Sequence, residues 1–216
     1  KGDSQKAFWM LRRYLNQNCI SKGLTKRMIK FIEYTLSKEE KKIQRKNVKF
    51  LNLISDQLTS ELAFEMYQRP LQAHHFFGYM INNAPSLAYQ ICGTALGVQT
   101  LAAGDLLFAI AEEAARSFVL RDGLLNYVYL DGGSLDPPVQ ESEWIAEASL
   151  WTGWKYRGRC HAQEPSEVLY FKVEKLVELV SAHPKPWEYA KYYATGFVKY
   201  LNTIAPSCWS DVIRDP

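Results

Sequence analysis

Histidine and cysteine often bind metals or act in catalysis, but here neither has the spacing that such chemistry requires. His74 and His75 are adjacent, so on a helix their side chains diverge, unlike the i, i+4 pair of a zinc-binding helix. The four cysteines include no C-x-x-C pair. No nucleophile elbow, Walker A loop or dinucleotide-binding glycine motif is present. The sequence therefore predicts no enzyme, no metal site and no disulfide framework, and a helix-end or interface role for the two histidines.

Three tryptophans, Trp144, Trp151 and Trp154, lie close together in the sequence. Indole rings can stack on a purine base, but they fill a protein core more often. We favour the core role, which includes filling an otherwise empty pocket, and base stacking remains the alternative.

Charge divides the chain into two parts. Residues 1–50 hold 14 Lys and Arg against 4 Asp and Glu, whereas the remainder holds 12 against 19. A basic region can bind nucleic acid, an anionic membrane or an acidic neighbouring subunit. Because the basic residues alternate with helical apolar positions, we favour the solvated face of basic helices.

Length and hydropathy define the class of protein. The chain has 216 residues, of which 47% are hydrophobic, so it is expected to bury a core. No apolar run reaches the ~18 residues that a membrane span needs, and no signal peptide pattern is present. We therefore expect this piece to be soluble, and the scattered cysteines favour a reducing cytosol. Because the sequence opens at Lys1 without Met, we expect it to be part of a longer protein.

Apolar residues recur at helical spacing through residues 1–70. The pattern predicts four short helices, with a break at Ser21–Gly23, a third helix around Val48–Ile54, and a fourth that opens after Ser55-Asp56 and stops at Pro70. Such helices bury little on their own, so we expect this region to pack against another subunit.

After further helical segments at 71–79 and 86–92, short apolar runs alternate with glycine turns. The predicted strands are Leu106–Ile110, Ser117–Leu120, Leu124–Leu130 and Glu167–Phe171. Helices return at Val173–Ala182 and Trp187–Leu201. The sequence thus predicts an α+β protein with a helical region at 1–70, followed at 71–216 by an antiparallel, jelly-roll-like β-roll with flanking and C-terminal helices.

Two sets of residues resemble one channel family. Trp9–Tyr34 and Phe50–Leu62 resemble the C-linker of cyclic-nucleotide-gated, hyperpolarisation-activated and ether-à-go-go type channels, although Ile54-Ser55 replaces the usual Leu-Pro. Leu101–Phe108 and Ser117–Val128 resemble landmarks of the cyclic nucleotide-binding fold. The landmarks follow the family's order over nearly the whole chain.

The resemblance implies a phosphate-binding cassette at Trp144–Leu150. Within it Glu147 matches the ribose-binding glutamate, and Ser149 stands at the position of a small residue, with Ala148 between them. Ala146 replaces the family's glycine, and its Cβ is expected to oppose the tight turn or the approach of a ligand.

The family's phosphate-binding arginine has no direct match. Tyr156 stands at its position and Arg157 one place later, which in a strand points to the opposite face. Arg157 or Arg159 could serve if the alignment shifts by an insertion. The candidate ligand-binding residues are therefore Ala146, Glu147, Ala148, Ser149, Arg157 and Arg159. An empty or otherwise filled pocket is favoured over retained binding of a cyclic nucleotide or nucleoside.

The resemblance implies a cytosolic gating and assembly module of a tetrameric cation channel, with potassium as the favoured ion. Its expected partners are identical subunits, through residues 1–70, and a pore domain upstream; nucleic acid is not expected. The expected location is the cytoplasmic face of a membrane. The alternative is a soluble regulatory protein that senses a nucleotide or nucleoside, like the regulatory subunit of a kinase.

Overall fold

The computed structural model describes residues 2–41 and 48–214. It confirms the predicted α+β class, with helices first, then two antiparallel sheets, then helices. The chain divides into two compact units, Lys1–Val48 and Lys49–Pro216. Residues 42–47 of the predicted helical region lie outside the described residues.

The first unit contains helices α1 (Gly2–Gln17) and α2 (Lys22–Lys41). Ser21 caps α2, because its Oγ accepts a hydrogen bond from the Leu24 amide at 3.3 Å. The break between the two helices is residues 18–21, so it lies earlier in the chain than the predicted Ser21–Gly23, and Lys22 and Gly23 already belong to α2. Leu15 is buried, whereas several large apolar side chains of this unit are exposed.

The second unit begins with a 3-10 turn, Lys49–Asn52, where the sequence predicted a helix over Val48–Ile54. Helix α3 (Asp56–Ala73) starts where predicted, capped by Ser55. The prediction that it stops at Pro70 is wrong. The missing amide of Pro70 costs the helix a hydrogen bond, but the next residue, Leu71, is buried in the core, and tertiary packing outweighs the local penalty.

Two short helices, α4 (His75–Asn83) and α5 (Pro85–Gln90), lead through a π-helical turn at Ile91–Ala95 into the sheets. The side chain of His74 caps α4 by accepting a hydrogen bond from the Phe76 amide at 3.2 Å. The predicted helix-end role of one histidine is thereby observed at His74.

Seven strands form the roll. Four of them match predicted segments with shifted ends: β2 (Leu106–Phe108), β3 (Arg116–Asp122), β4 (Leu125–Val128) and β7 (Ser166–Lys172). Three were not predicted: β1 (Leu96–Leu101), β5 (Trp144–Ile145) and β6 (Arg159–Ala162). The sequence misses these three because they are very short or lack regular alternation, and pairing with neighbours defines them.

The strands form two antiparallel sheets, in the orders β1-β7-β3-β5 and β2-β6-β4. Apolar side chains from both sheets meet between them and are fully buried, among them Leu120, Tyr127 and Val168. The turn between β3 and β4 requires glycine, since Gly123 has φ +100° and a Cβ there would lie 2.4 Å from Ser166 Oγ.

The chain then forms α6 (Ala148–Trp151), between β5 and β6, and ends with α7 (Val173–Ser181) and α8 (Pro184–Thr203). Helices α4, α5, α7 and α8 share a second apolar core with the outer side of the larger sheet. A 3-10 turn at Pro206–Cys208 precedes the last described segment, residues 209–214, which we call the tail. No helix among the described residues combines the length and apolar character needed to cross a bilayer.

Candidate functional site

The cassette, Trp144–Leu150, forms a tight turn between β5 and α6. Ala146 adopts φ +57° and is fully buried, so the tight turn that its Cβ was expected to oppose forms here with alanine. A left-handed alanine costs about 1 kcal/mol, which the surrounding contacts must offset. Ser149 is also buried, and its Oγ donates to the Ala146 carbonyl at 2.8 Å. Ala148 begins α6 and is buried as well.

Glu147 points towards the helices and joins three of them. Its Oε1 accepts hydrogen bonds from Trp151 Nε1 at 3.0 Å and from the hydroxyl of Tyr193 on α8 at 3.1 Å. His74 Nε2 lies 3.0 Å from the same oxygen, although it is not aligned for a regular hydrogen bond. Burial opposes ionisation of Glu147, but these contacts outweigh it and hold its pKa below the ordinary value. Glu147, the residue predicted to bind a ribose, is therefore already engaged by protein groups.

Tyr156, which the resemblance aligns with a phosphate-binding arginine, faces the interior of the roll. It is buried, its ring stacks on Phe108 at a centroid distance of 4.0 Å, and its hydroxyl donates to the Arg116 carbonyl. Burial raises the pKa of Tyr156 to about 12, so it remains neutral. No positive charge occupies this position to receive a cyclic phosphate.

The two candidate arginines lie in different surroundings. The guanidinium carbon of Arg157 is 4.9 Å from the ring centres of both Trp154 and Trp209, two neighbouring indoles against which it packs in cation–π geometry. Arg159 is exposed on β6, opposite Val128 of β4. Of the six predicted site residues, the structure brings the four of the cassette and Arg157 to one region and leaves Arg159 outside it.

An acidic residue of the tail occupies the space between the cassette and Arg157. The backbone carbonyl of Asp211 accepts a hydrogen bond from the Ala146 amide at 2.6 Å. Its Oδ1 accepts from Trp154 Nε1 at 2.7 Å, and its Oδ2 accepts from the amides of Arg157 and Gly158 at 2.7 and 3.0 Å. The tail thus bonds directly to the cassette and to the segment that holds Arg157, the two segments that the resemblance predicts to bind a phosphate.

Asp211 is only 2% exposed, and it completes its contacts inside the roll. The Tyr127 hydroxyl donates to Oδ2 at 2.9 Å and accepts from the Asp211 amide at 3.2 Å. Burial raises the pKa of Asp211, while the surrounding donors lower it and offset part of that effect. Gly158 permits this arrangement, since a Cβ there would lie 2.4 Å from the Tyr127 ring.

Apolar and ionic contacts hold the tail on both sides of Asp211. Val212 is 5% exposed and belongs to the core of the roll. Trp209 Nε1 donates to the Leu201 carbonyl at the end of α8. Arg214 makes two hydrogen bonds to Glu143, at 2.6 and 2.9 Å, and further bonds to the carbonyls of the preceding loop. The tail is therefore a packed part of this unit.

Sequence reasoning assigned no role to Trp209, Asp211 or Arg214. The available signal was the pattern of residues 209–213, in which two polar residues stand between apolar ones after the last helix. That pattern is typical of a segment that buries one face, but it does not say where. The described residues contain no group of three His, Cys, Asp or Glu side chains placed to hold a metal ion.

No protein-family model matches this sequence, and no curated protein is significantly similar to it. Function is therefore inferred from the geometry of the roll and its tail, together with the family resemblance of the sequence.

Proposed function

We propose that this chain is a gating and assembly module of a tetrameric cation channel, with potassium as the favoured ion, whose tail occupies the pocket that relatives use for a cyclic nucleotide. The module acts at the cytoplasmic face of a membrane and has no catalytic role. The single observation that carries the proposal is the Asp211 carboxylate, bound by four donors between the cassette and Arg157.

A carboxylate and a cyclic phosphate are both anions that backbone amides and ring N–H groups can bind. Both would use the donors that Asp211 already holds, so a nucleotide has to displace the tail. The tail competes as a tethered ligand, whose effective concentration is typically in the millimolar range. Because Tyr156 provides no positive charge, the competition favours the tail, and cyclic nucleotides bind weakly or not at all.

Release of the tail would change the position of the helices through two sets of contacts. Trp209 bonds to carbonyls at the end of α8, so the tail and that helix move together. Glu147 links the cassette to Tyr193 on α8 and to His74 at the start of α4. The occupancy of the pocket is thus coupled to the helices on both sides of the roll, which is the coupling a gating module needs.

Assembly is assigned to residues 1–70, which would contact identical subunits beneath an upstream pore domain. Exposed Trp9, Met10 and Tyr14 on α1 offer apolar surface, being 59%, 52% and 63% exposed. Residues 1–50, which include this helix, carry a net positive charge, and residues 51–216 carry a net negative charge. Attraction between the two therefore supports contact between neighbouring copies.

Recording from the full-length protein tests the proposal. Asp211→Ala should release the tail and change the open probability or the voltage dependence of the current. Asp131→Ala, which removes a carboxylate from an exposed loop, should leave both unchanged. Calorimetry should find no micromolar binding of cyclic AMP, cyclic GMP or adenosine by the unmodified chain. Tight binding, or a full-length protein that carries no current, would favour the soluble nucleotide sensor instead.

A further inference from the structure

A second pocket lies among the helices of the same unit and takes no part in the tail site. It has a volume of about 190 Å³. Its floor is apolar and buried, formed by Phe76 on α4, Leu150 on α6, Leu176 and Val180 on α7, and Ala190 on α8. Four helices therefore meet around a space that their own side chains leave open.

The size and lining of this pocket suit a small aromatic molecule. An enclosed apolar cavity of about 150 Å³ is known to bind benzene, and this pocket, which is open at its mouth, offers a comparable volume with a mostly apolar lining. The aromatic rings of Phe76, Trp151 and Trp187 line the space, and the small side chains of Ala190 and Ala194 leave room along α8. A flat ring can pack against those rings face-on or edge-on.

The rim adds one charge. Lys191 is the only charged residue among the described residues that line the pocket. It is exposed on α8, and its Nζ lies 6.0 Å from the centre of the Trp187 ring, which keeps the ammonium beside the mouth. A ligand with an apolar ring inside and an acid group at the mouth would match both features.

We propose that this pocket is a binding site for a small aromatic carboxylate, with the ring held between Phe76, Trp151 and Trp187 and the carboxylate beside Lys191. The site is separate from the tail pocket and does not depend on the proposed channel function. An occupant would contact α6 directly behind the cassette, together with α7 and α8, so it would also brace the helices that the cassette touches.

Benzoate and the neutral benzyl alcohol are suitable probes, followed by the indole N–H resonances in NMR spectra of the whole chain. Benzoate should shift the signals of Trp151 and Trp187, with a dissociation constant of roughly 1 mM or lower. The signals of Trp154 and Trp209 at the tail should not move. No shift with benzoate, or shifts confined to the tail pair, would overturn the proposal.

Substitutions separate the ring site from the charge. Ala194→Leu fills the pocket from α8, and Val177→Trp covers its mouth from an exposed position on α7; each should abolish the binding of both probes. Lys191→Gln should weaken benzoate roughly two- to fivefold and leave benzyl alcohol unchanged. Lys185→Gln removes a positive charge from the same helix outside the pocket and should change neither. Unaltered benzoate binding in all three pocket variants would refute the assignment.

Discussion

Asp211→Asn is the sharpest perturbation of the tail, because it keeps the size of the side chain and changes only its charge and one acceptor. Oδ2 of Asp211 receives three donors and Oδ1 receives one, the Trp154 indole N–H at 2.7 Å. In the better orientation of the amide, its oxygen keeps the three donors. Its NH₂ group then faces the indole N–H, donor to donor.

The cost follows from counting these contacts. One hydrogen bond to a charged group is lost, at about 1.5–3 kcal/mol, and the buried Trp154 N–H is left without an acceptor. The three remaining bonds lose their charge assistance. Together these changes amount to about 3–5 kcal/mol. The protein can avoid this cost by releasing the tail into water, so we expect the tail to detach while the sheets stay folded.

Amide hydrogen exchange measures this release directly, because the tail protects the amides of Ala146, Arg157 and Gly158. At mildly alkaline pH, which favours the ionised form of Asp211, Asp211→Asn should speed their exchange by roughly 100-fold or more. Amides that pair β3 with β7 should keep their rates. Asp131→Asn in an exposed loop is the matched control. Equal exchange of the three amides in both variants would refute the assignment of Asp211 as the residue that holds the tail.

Three further predictions concern the surroundings of the tail and the N-terminal helices. Arg214→Met removes the two bonds to Glu143 and should lower the stability by about 1 kcal/mol in urea unfolding, since the pair is partly exposed; an unchanged midpoint would contradict it. The pKa of Glu147 lies below its ordinary 4.5, so its stabilising effect is complete above that value and is lost as the pH falls through the lower folded pKa. Glu147→Gln should therefore flatten the acid limb of a stability–pH curve, and a curve with the same slope would argue against this role. Arg13→Glu should weaken self-association in sedimentation, more so at low salt; a strictly monomeric unmodified chain at high concentration would rule that interface out.

Local signals in the sequence were sufficient for the helices and for part of the roll. Apolar spacing and the Ser55 cap located α3, and glycine turns marked the strands around Gly123. These features depend on residues within a few positions of one another, so they can be seen without the tertiary structure. Pro70 gave a misleading signal. The hydrogen bond that it costs the helix is a local effect, whereas the burial of Leu71, which outweighs that cost, depends on residues distant in the sequence.

The candidate site divides in the same way. The sequence by itself determined that position 156 is a tyrosine and not an arginine, and its family resemblance predicted a cassette at Trp144–Leu150 with an unoccupied or otherwise filled pocket. Only the tertiary structure decided which residue lies between the cassette and Arg157, because Asp211 is more than 50 residues from its partners at Trp154 and Gly158. No local pattern specifies which buried donors an isolated carboxylate will meet. The donors that Asp211 meets depend on the packing of Val212 in the roll and on where α8 ends, since the tail follows that helix.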